Sequence, residues 1–331
     1  MKKIAFLSTG GTIAMQEEAS GLATNQLTSK DLLAKANLHD QEIEFLEIDY
    51  KNIASPHVLP VNVIEIKELI EEAYRVHGID GAVITHGTDT LQETAYLLDI
   101  TMDLDIPVVV TGAQRNSSLP SSDVAANIID SVLVAASPAA KGLGVLVVFA
   151  SDIIPGREAV KTHTSRVDTF KAPEFGPIGT VSNNRVIIQR KPLLRDHYHV
   201  GKDFAKQDVC IIPTYQGQDA RPFYHAIQDQ VSGIIIEGVG AGHVTERMVE
   251  GVEAALEAGI VLVIGSRVGH GRLFESTYGY YGSESHLRQL GVILGEDLSA
   301  DKLRLKLMVL LSNQLSYEQI REEFEKDHYR S

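Results

Sequence analysis

The sequence predicts an α/β protein with two domains: a larger N-terminal domain whose mainly parallel sheet is flanked by helices, and a smaller C-terminal parallel α/β domain. Three observations support this prediction. Short apolar runs rich in Val and Ile recur along the chain, amphipathic stretches with helical spacing separate them, and the alternation is interrupted between residues 190 and 207. Continuously apolar strands are buried on both faces, which is typical of parallel sheets covered by helices.

The individual elements follow from the pattern of apolar residues. Apolar runs predict strands at 4–7, 81–85, 107–111, 144–149, 209–212, 233–236 and 261–264. Stretches with one apolar side predict helices at 63–76, 91–102, 124–136, 244–258 and 301–311, and an acidic helix at 317–324 that caps the smaller domain. Cys210, the single cysteine, lies in a predicted buried strand and is interpreted as structural.

The domain boundaries are set by the one segment without periodicity. A chain of 331 residues is long enough for two ordinary globular domains. Residues 190–207 mix charge, proline and histidine in no regular order, so they are the predicted linker. The predicted domains are therefore 1–189 and 208–331.

Composition excludes several classes of partner and cofactor. The net charge is −14, and no basic stripe is present that could neutralise phosphates or anionic lipids, so neither nucleic acid nor a membrane surface is an expected partner. No apolar run approaches the roughly 18 residues of a membrane span, and the first apolar run ends before a signal sequence could form, which predicts a cytoplasmic protein. Twelve histidines form no metal-binding motif, so no metal is expected.

A first polar turn follows the strand at 4–7 and reads STGGTIA at residues 8–14. Two glycines would let the backbone approach a ligand closely, with a hydroxyl on either side of the bend. The alternatives are a tight bend without function and a weak phosphate cradle. The spacing of nucleotide-binding loops is absent.

A second polar turn, THGTDT at residues 85–90, follows the strand at 81–85. Thr88 or Asp89 could simply cap the next helix, but a cap needs only one such residue. Several polar groups at the end of an apolar strand cost solvation free energy unless they bind each other or a ligand. Ligands of open parallel sheets bind beyond the carboxyl ends of the strands, where both turns lie.

Lys161 is the candidate that could activate a hydroxyl in these turns. A hydroxyl nucleophile is weak at neutral pH and needs a neighbouring base or cation. Lys161 lies in the segment AVKTHT at 159–164, where the alternative is an ordinary solvated strand residue. If it points at Thr88 and Asp89, the three groups form an arrangement with the logic of a catalytic triad.

The two turns together resemble the signatures of the bacterial-type L-asparaginase family, which are TGGTI at residues 9–13 and HGTDT at residues 86–90. The resemblance continues through TGAQR at 111–115, Asp123, Lys161-Thr162, GVGAG at 238–242 and SRV at 266–268, and so covers essentially the whole chain. It implies hydrolysis of L-asparagine to L-aspartate and ammonia through an acyl-enzyme, a side activity on L-glutamine, and no cofactor.

The resemblance also implies residue roles. Thr12 would be the nucleophile, and Thr88, Asp89 and Lys161 would form a second group that handles protons and activates water. Asp89 would also hold the α-ammonium of the substrate, and Ser55 its α-carboxylate. The complete set of implied substrate-binding residues is Gly11, Ser55, Pro56, Gly87, Thr88, Asp89, Ala113 and Glu284.

A homo-oligomer, dimer or tetramer, is implied as well, because family sites are completed by the smaller domain of a neighbouring subunit. Glu284 is the candidate for the acid that crosses between subunits, and the alternative is an ordinary surface acid. His243 follows Gly242, where some members carry an asparagine; it could equally be a residue at a helix N-terminus.

Two departures from the family pattern leave questions open. The family's flexible loop carries a tyrosine that activates the nucleophile, whereas residues 16–26 contain Leu22 and no tyrosine. Thr24 or a tyrosine from elsewhere could substitute, or the loop could serve to exclude water. Pro56 replaces a polar residue, which removes one contact with the substrate. Two other functions therefore remain: a ligand-binding protein without turnover, and the amide-hydrolysing subunit of an amidotransferase.

Overall fold

The chain forms two compact units, Met1–His197 and Tyr198–Ser331. A computed structural model describes residues 1–17, 23–25, 27–36, 42–193, 195–295 and 297–326, with the backbone alone at 16, 17 and 23–25. The predicted α/β class with two units is confirmed. The division between the units falls inside the segment 190–207.

The first unit contains a large sheet and its covering helices. Its elements in chain order are β1 (Lys2–Ser8), β2 (Met15–Glu17), β3 (Ala23–Asn25), α1 (Ser29–Ala36), β4 (Ile43–Asp49), α2 (Pro60–His77), β5 (Gly81–Thr85), α3 (Leu91–Thr101), β6 (Val108–Thr111), α4 (Val124–Ala136), β7 (Val145–Phe149), β8 (Asp152–Pro155), β9 (Val160–Lys161), β10 (Phe170–Lys171), β11 (Gly179–Ser182) and β12 (Arg185–Ile188).

The large sheet has the strand order β12-β11-β8-β7-β6-β5-β1-β4 among the described residues. The strands from β4 to β7 are parallel, and β8, β11 and β12 extend the sheet in antiparallel pairing. The residues of β5, β6 and β7 are all buried, as their apolar runs predict. Helices α1 and α4 pack against each other, and α4 contributes Ile128 and Val132 to a core with Phe6 and Val83.

The second unit contains a smaller sheet, β13-β14-β15-β16, in which every pair is parallel. Its elements are β13 (Val209–Pro213), α5 (Arg221–Gln228), β14 (Gly233–Gly238), α6 (Val249–Glu257), β15 (Val261–Ser266), α7 (Glu284–Leu290), β16 (Ile293–Leu294), α8 (Ala300–Ser312) and α9 (Tyr317–Phe324). Helix α8 packs against β13, β14 and β15, and α9 packs against α8 and β16.

Two local predictions need correction. The helix predicted at 244–258 begins later, because the N–H of Val244 donates to the carbonyl of Gly282 at 2.9 Å, and α6 follows a 3-10 turn at Glu246–Met248. Cys210 lies in a strand as predicted, but β13 is at the sheet edge and the side chain is only half-buried. Burial still raises the pKa of the Cys210 thiol, which keeps it protonated and unreactive at neutral pH.

None of the helices in the described ranges combines the length and apolar character needed to cross a membrane.

Candidate active site

The two polar turns lie side by side because β1 and β5 are neighbouring parallel strands. Their last residues, Ser8 and Thr85, are paired in the sheet. Immediately beyond them, the N–H and the Oγ1 hydroxyl of Thr9 both donate to the carbonyl of Thr85, at 3.1 and 2.9 Å. These bonds fix the backbone of the first turn against the second.

A contact between two glycines brings the turns still closer. Gly11 has φ of +84°, and a Cβ atom built on it would overlap the N and Cα atoms of Gly87. A Cβ atom on Gly87 would in turn lie 2.6 Å from the Oγ of Ser55. Only glycine fits at both positions, so the sequence requirement for glycine here is steric. Thr12, which is half-buried, directly follows this contact at the start of a 3-10 turn.

Thr88, Asp89 and Lys161 form a connected cluster. The Nζ atom of Lys161 donates to the Oγ1 of Thr88 at 2.9 Å and to the Oδ1 of Asp89 at 2.7 Å. Thr88 is 5% exposed, and the side chain of Lys161 is 16% exposed, whereas that of Asp89 is 60% exposed. Asp89 therefore presents a carboxylate to solvent or a ligand, while Lys161 is held at the buried hydroxyl.

The two alternative interpretations from the sequence, an ordinary solvated lysine and a helix cap, are wrong. Lys161 is not an ordinary solvated strand residue, because its ammonium is held by Thr88 and Asp89. Neither of those two caps the following helix: the N-cap of α3 is Thr90, and within the described part of the chain that N-terminus receives no side-chain cap bond. Both side chains contact Lys161 instead.

The hairpin of β9 and β10 carries Lys161, and a glutamine that the sequence analysis did not single out anchors it. Lys161 is paired with Phe170 across the hairpin. Its backbone N–H donates to the Oε1 of Gln92 on α3 at 2.7 Å. Gln92 therefore ties the lysine backbone to the helix that follows Thr88 and Asp89. The sequence signal that could have found it is its place two residues after the HGTDT segment.

Ser55 links a third segment to the cluster. It is buried at the start of a 3-10 turn, Ser55–His57. Pro56, the second residue of this turn, is exposed. The Oγ of Ser55 accepts the N–H of Asp89 at 3.2 Å, and its carbonyl accepts the Oγ1 hydroxyl of Thr90 at 2.7 Å. Because the Ser55 oxygen acts as an acceptor in this bond, its own hydroxyl proton can be donated to a ligand.

The turn after β6 completes the wall on the other side of Thr88. A Cβ atom on Gly112 would lie 2.6 Å from the carbonyl oxygen of His86 and 3.3 Å from the Cγ2 methyl of Thr88. Ala113, the next residue, is fully buried. The first unit thus brings Gly11, Thr12, Ser55, Gly87, Thr88, Asp89 and Lys161 together, with Ala113 on an adjacent turn.

His86 is the second residue that the sequence analysis missed. It is fully buried, its Nδ1 lies 2.7 Å from the carbonyl oxygen of Gly87, and its Nε2 lies 3.0 Å from the Oγ1 of Thr94. A carbonyl oxygen only accepts, so the proton is on Nδ1 and Nε2 accepts from Thr94. Burial lowers the pKa of His86 to about 4, which keeps the ring neutral. The ring therefore holds the peptide that precedes Thr88.

This buried histidine predicts a loss of stability in acid. Its pKa is lower in the folded protein than the ordinary 6.5, so below pH 6.5 the unfolded chain binds a proton that the folded one excludes until about pH 4. Stability is fully present above pH 6.5 and falls by about 3 kcal/mol as the pH drops to 4. Urea unfolding measures the free energy of unfolding at pH 7 and at pH 4.5. The decrease between the two pH values should be smaller for His86→Gln than for the native protein. Equal differences would contradict the assignment.

Glu284 and His243 lie together in the second unit. The carboxylate of Glu284 is fully buried, its Oε1 accepts the N–H groups of Thr277 and Tyr278 at 2.6 and 2.7 Å, and its Oε2 lies 3.0 Å from the Nε2 of His243. Desolvation raises the pKa of Glu284, but the hydrogen bonds from the Tyr278 and Thr277 backbone outweigh it and the net pKa is lowered. Glu284 is therefore a buried carboxylate and the surface-acid interpretation is wrong.

His243 is not at a helix N-terminus either. It forms an isolated bridge with Val239, and its Nδ1 lies 2.6 Å from the hydroxyl oxygen of Tyr280. The 3-10 turn that leads into α6 begins three residues later, at Glu246. The role of Glu284 in completing a site stays a prediction.

The loop after the first turn is described only in part. Strands β2 and β3 form an antiparallel hairpin that pairs Gln16 with Thr24. Residues 18–22 and 26, with Leu22 among them, lie outside the described residues. In the ranges that the structure describes, no group of three or more His, Cys, Asp or Glu side chains is arranged to hold a metal ion.

Comparison with known proteins identifies the family. A family model described as "Asparaginase, N-terminal" matches residues 3–194, and one described as "Glutaminase/Asparaginase C-terminal domain" matches residues 208–324. The chain is 37% identical over 313 residues to an L-asparaginase of Bacillus licheniformis, covering 94% of this chain and 96% of that protein.

Two further relatives differ in the roles that their names give them. A glutamyl-tRNA(Gln) amidotransferase component from Methanococcus maripaludis is 31% identical over 331 residues, which cover 95% of this chain and 77% of that protein. The crystal structure of a probable cytoplasmic L-asparaginase from Campylobacter jejuni aligns with a TM-score of 0.85 and 30% identity, over 98% of this chain and 99% of that one. With both of its domains matched and relatives of this identity spanning nearly its whole length, the chain belongs to the asparaginase family.

Proposed function

We propose that this chain hydrolyses L-asparagine to L-aspartate and ammonia through an acyl-enzyme on Thr12, with L-glutamine as a weaker substrate. Membership of the asparaginase family makes it an amidohydrolase. The observation that carries the finer proposal is the cluster of Thr88, Asp89 and Lys161 beside the contact between Gly11 and Gly87. A protein that only binds its ligand has no need for a buried hydroxyl coupled to a lysine.

In the proposed reaction the Thr12 hydroxyl attacks the side-chain amide carbon, and its proton leaves with the departing ammonia. Water then attacks the resulting ester and frees aspartate, which restores the hydroxyl of Thr12. The cluster supports proton transfer in both steps, since Lys161 and Thr88 can pass a proton between them at 2.9 Å. Asp89 balances the charge of Lys161 at 2.7 Å.

Substrate recognition follows from the charges around this cluster. Asp89, whose carboxylate is largely exposed, would hold the α-ammonium of the amino acid. The hydroxyl of Ser55, whose oxygen accepts the Asp89 N–H, would donate to the α-carboxylate. Gly11, Gly87 and Ala113 would line the pocket through their backbones, and Pro56 offers no polar side-chain contact. A small α-amino acid with a side-chain amide suits these groups.

Release of ammonia tests the proposed function directly. Purified protein is incubated with L-asparagine or L-glutamine, without any partner protein, and ammonia is measured over time. We expect release from both amides with a higher kcat/KM for asparagine. Binding without release would identify a ligand-binding protein. Release from glutamine alone that rises with an added synthetase partner would favour an amidotransferase component, as the Methanococcus relative is named.

Lys161→Met is expected to lower kcat for asparagine by about 10²-fold or more, because Thr88 loses its proton partner and Asp89 its counter-charge. The matched control is Lys171→Met on the paired strand β10. Lys171 is 40% exposed and contacts Asp152 and Asp168 rather than the cluster. Steady-state kinetics of the two variants should differ by at least tenfold in kcat. Similar values would remove Lys161 from the proposed mechanism.

The proposed oligomer is a dimer or tetramer in which Glu284 of one subunit completes the site of another. The net pKa of Glu284 is lowered, so its carboxylate is ionised and suits the recognition of an ammonium group once the subunit contact exposes it. Mixing two inactive variants, Thr12→Ala and Glu284→Gln, under conditions of subunit exchange should restore part of the activity, since hybrid sites regain both groups. A stable, active monomer would contradict the shared site. The cytoplasmic location stays a prediction that cell fractionation can test.

A further inference from the structure

Asn127, a buried residue in the first turn of α4, joins two separate segments to that helix next to the proposed active site. It is 1% exposed. Its Nδ2 donates to the carbonyl of Gly112 at 2.9 Å and to the Oδ2 of Asp123 at 3.1 Å, and its Oδ1 accepts the N–H of Ala150 at 3.0 Å. Both donors and the acceptor of the amide are thus used.

The first of these segments is the turn beside Thr88. A Cβ atom built on Gly112 would lie 3.3 Å from the Cγ2 methyl of Thr88 and 2.6 Å from the carbonyl oxygen of His86, so the turn leaves no room for a side chain there. Asp123 fixes the other half of the same turn, since its carboxylate accepts the N–H groups of Gln114 and Arg115 at 3.1 and 2.9 Å. The side chains of Asn127 and Asp123 therefore hold both ends of the turn at 112–115.

The second segment is a strained turn between β7 and β8. Ala150 and Ser151 have φ of +48° and +65°, which is unfavourable for residues with side chains and costs on the order of 1 kcal/mol each. Asn127 accepts the N–H of Ala150, and the Ser151 hydroxyl donates to Asp130 at 2.8 Å on the next turn of the same helix. This turn lies beside the turn after β6 because β6 and β7 are parallel neighbours.

We propose that Asn127 is a positioning residue for the reaction: by binding Gly112 and Ala150 at the same time, it holds the turn at 112–115 against Thr88 and so orients the Thr88 hydroxyl toward Lys161. The inference rests on the proposed function, because it concerns the hydroxyl that the reaction uses. The position of this turn sets the space beside the Cγ2 methyl of Thr88, and small displacements of a catalytic group cost up to about 10²-fold in rate.

The test compares variants on one helix. Asn127→Asp keeps the shape of the side chain but turns a carboxylate oxygen toward the Gly112 carbonyl and the Asp123 carboxylate. Asn127→Leu removes all three bonds at similar volume. The matched control is Ser131→Ala, one helical turn later, whose fully buried hydroxyl donates only to the backbone carbonyl of Asn127 at 2.6 Å in the described structure. Kinetics with asparagine, urea unfolding and amide hydrogen exchange are measured for each.

We expect kcat to fall 10- to 100-fold in both Asn127 variants with KM changed less than about threefold, and hydrogen exchange at residues 86–90 and 111–115 to speed up. Ser131→Ala should lose stability but keep kcat within twofold. Asn127 variants that fold and retain native kcat and native exchange at these residues would overturn the inference. If native protein releases no ammonia, the proposed function fails, and the exchange data still decide whether Asn127 positions the turn. If Asn127→Leu does not fold, Asn127→Asp carries the test.

Discussion

Thr12→Ala is expected to lower kcat for L-asparagine by at least about 10³-fold, because the proposed acyl-enzyme cannot form without the hydroxyl. Thr12 is half-buried at the start of a short 3-10 turn whose bonds are made by the backbone, including Ala14 N–H to the Gly11 carbonyl at 2.8 Å. The free energy of unfolding should therefore change by less than about 1 kcal/mol. Steady-state kinetics and urea unfolding measure the two effects.

Two further variants distinguish the nucleophile from the second threonine. Thr12→Ser keeps a hydroxyl and should retain a measurable rate. Thr88→Ala keeps Thr12 but removes the bond to Lys161, so both steps should slow. Because Thr12 can still attack while water loses the cluster that activates it, the rate of hydrolysis should fall more than that of acylation, and a covalent adduct should accumulate with substrate. Intact-mass spectrometry of the quenched protein detects it, and the double variant Thr12→Ala/Thr88→Ala should show none. A rate for Thr12→Ala within tenfold of the native protein would show that another group is the nucleophile.

Gly11→Ala is expected to produce the largest loss of stability. The added methyl group would overlap the backbone of Gly87, and neither backbone can move without breaking the bonds that join Thr9 to Thr85. The positive φ of Gly11 adds strain of about 1 kcal/mol for any residue with a side chain. The overlap with Gly87 and the backbone strain together predict a loss of about 3 kcal/mol in the free energy of unfolding. Activity should also be lost, because Thr12 is displaced.

Gly78→Ala is the matched control for this prediction. Gly78 also has a positive φ, +62°, at the C-terminus of α2, but a Cβ atom there would meet nothing within 4 Å. It therefore measures the cost of the backbone conformation alone, about 1 kcal/mol. Urea unfolding of both variants separates strain from overlap. Equal losses for Gly11→Ala and Gly78→Ala would mean that the close approach of the two turns does not constrain the fold.

The central strands were predictable because burial on both faces leaves a continuous apolar run. β5 has the predicted bounds, and β6 and β7 each begin one residue later than predicted. Helices α4 and α9 also have the predicted bounds, since each has one clear apolar side. Strands at or near the sheet edges were missed: β4 and β12 alternate partly buried and exposed residues, and β9, β10 and β16 are only two residues long. Such short or half-buried strands carry too little apolar signal to be recognised.

The sequence alone determined the class of the fold, the two polar turns at strand ends and the residue types needed for the proposed chemistry, because burial and backbone requirements leave direct marks on residue choice. Tertiary structure decided which of the local interpretations held. Lys161 is far from Thr88 in the chain, and only the packing of the β9 hairpin against α3 through Gln92 places the two 2.9 Å apart. Likewise, Glu284 lies beside His243, and the N–H of His86 donates to the carbonyl of Thr111. Both contacts are with residues distant in sequence, which no local pattern of residues records.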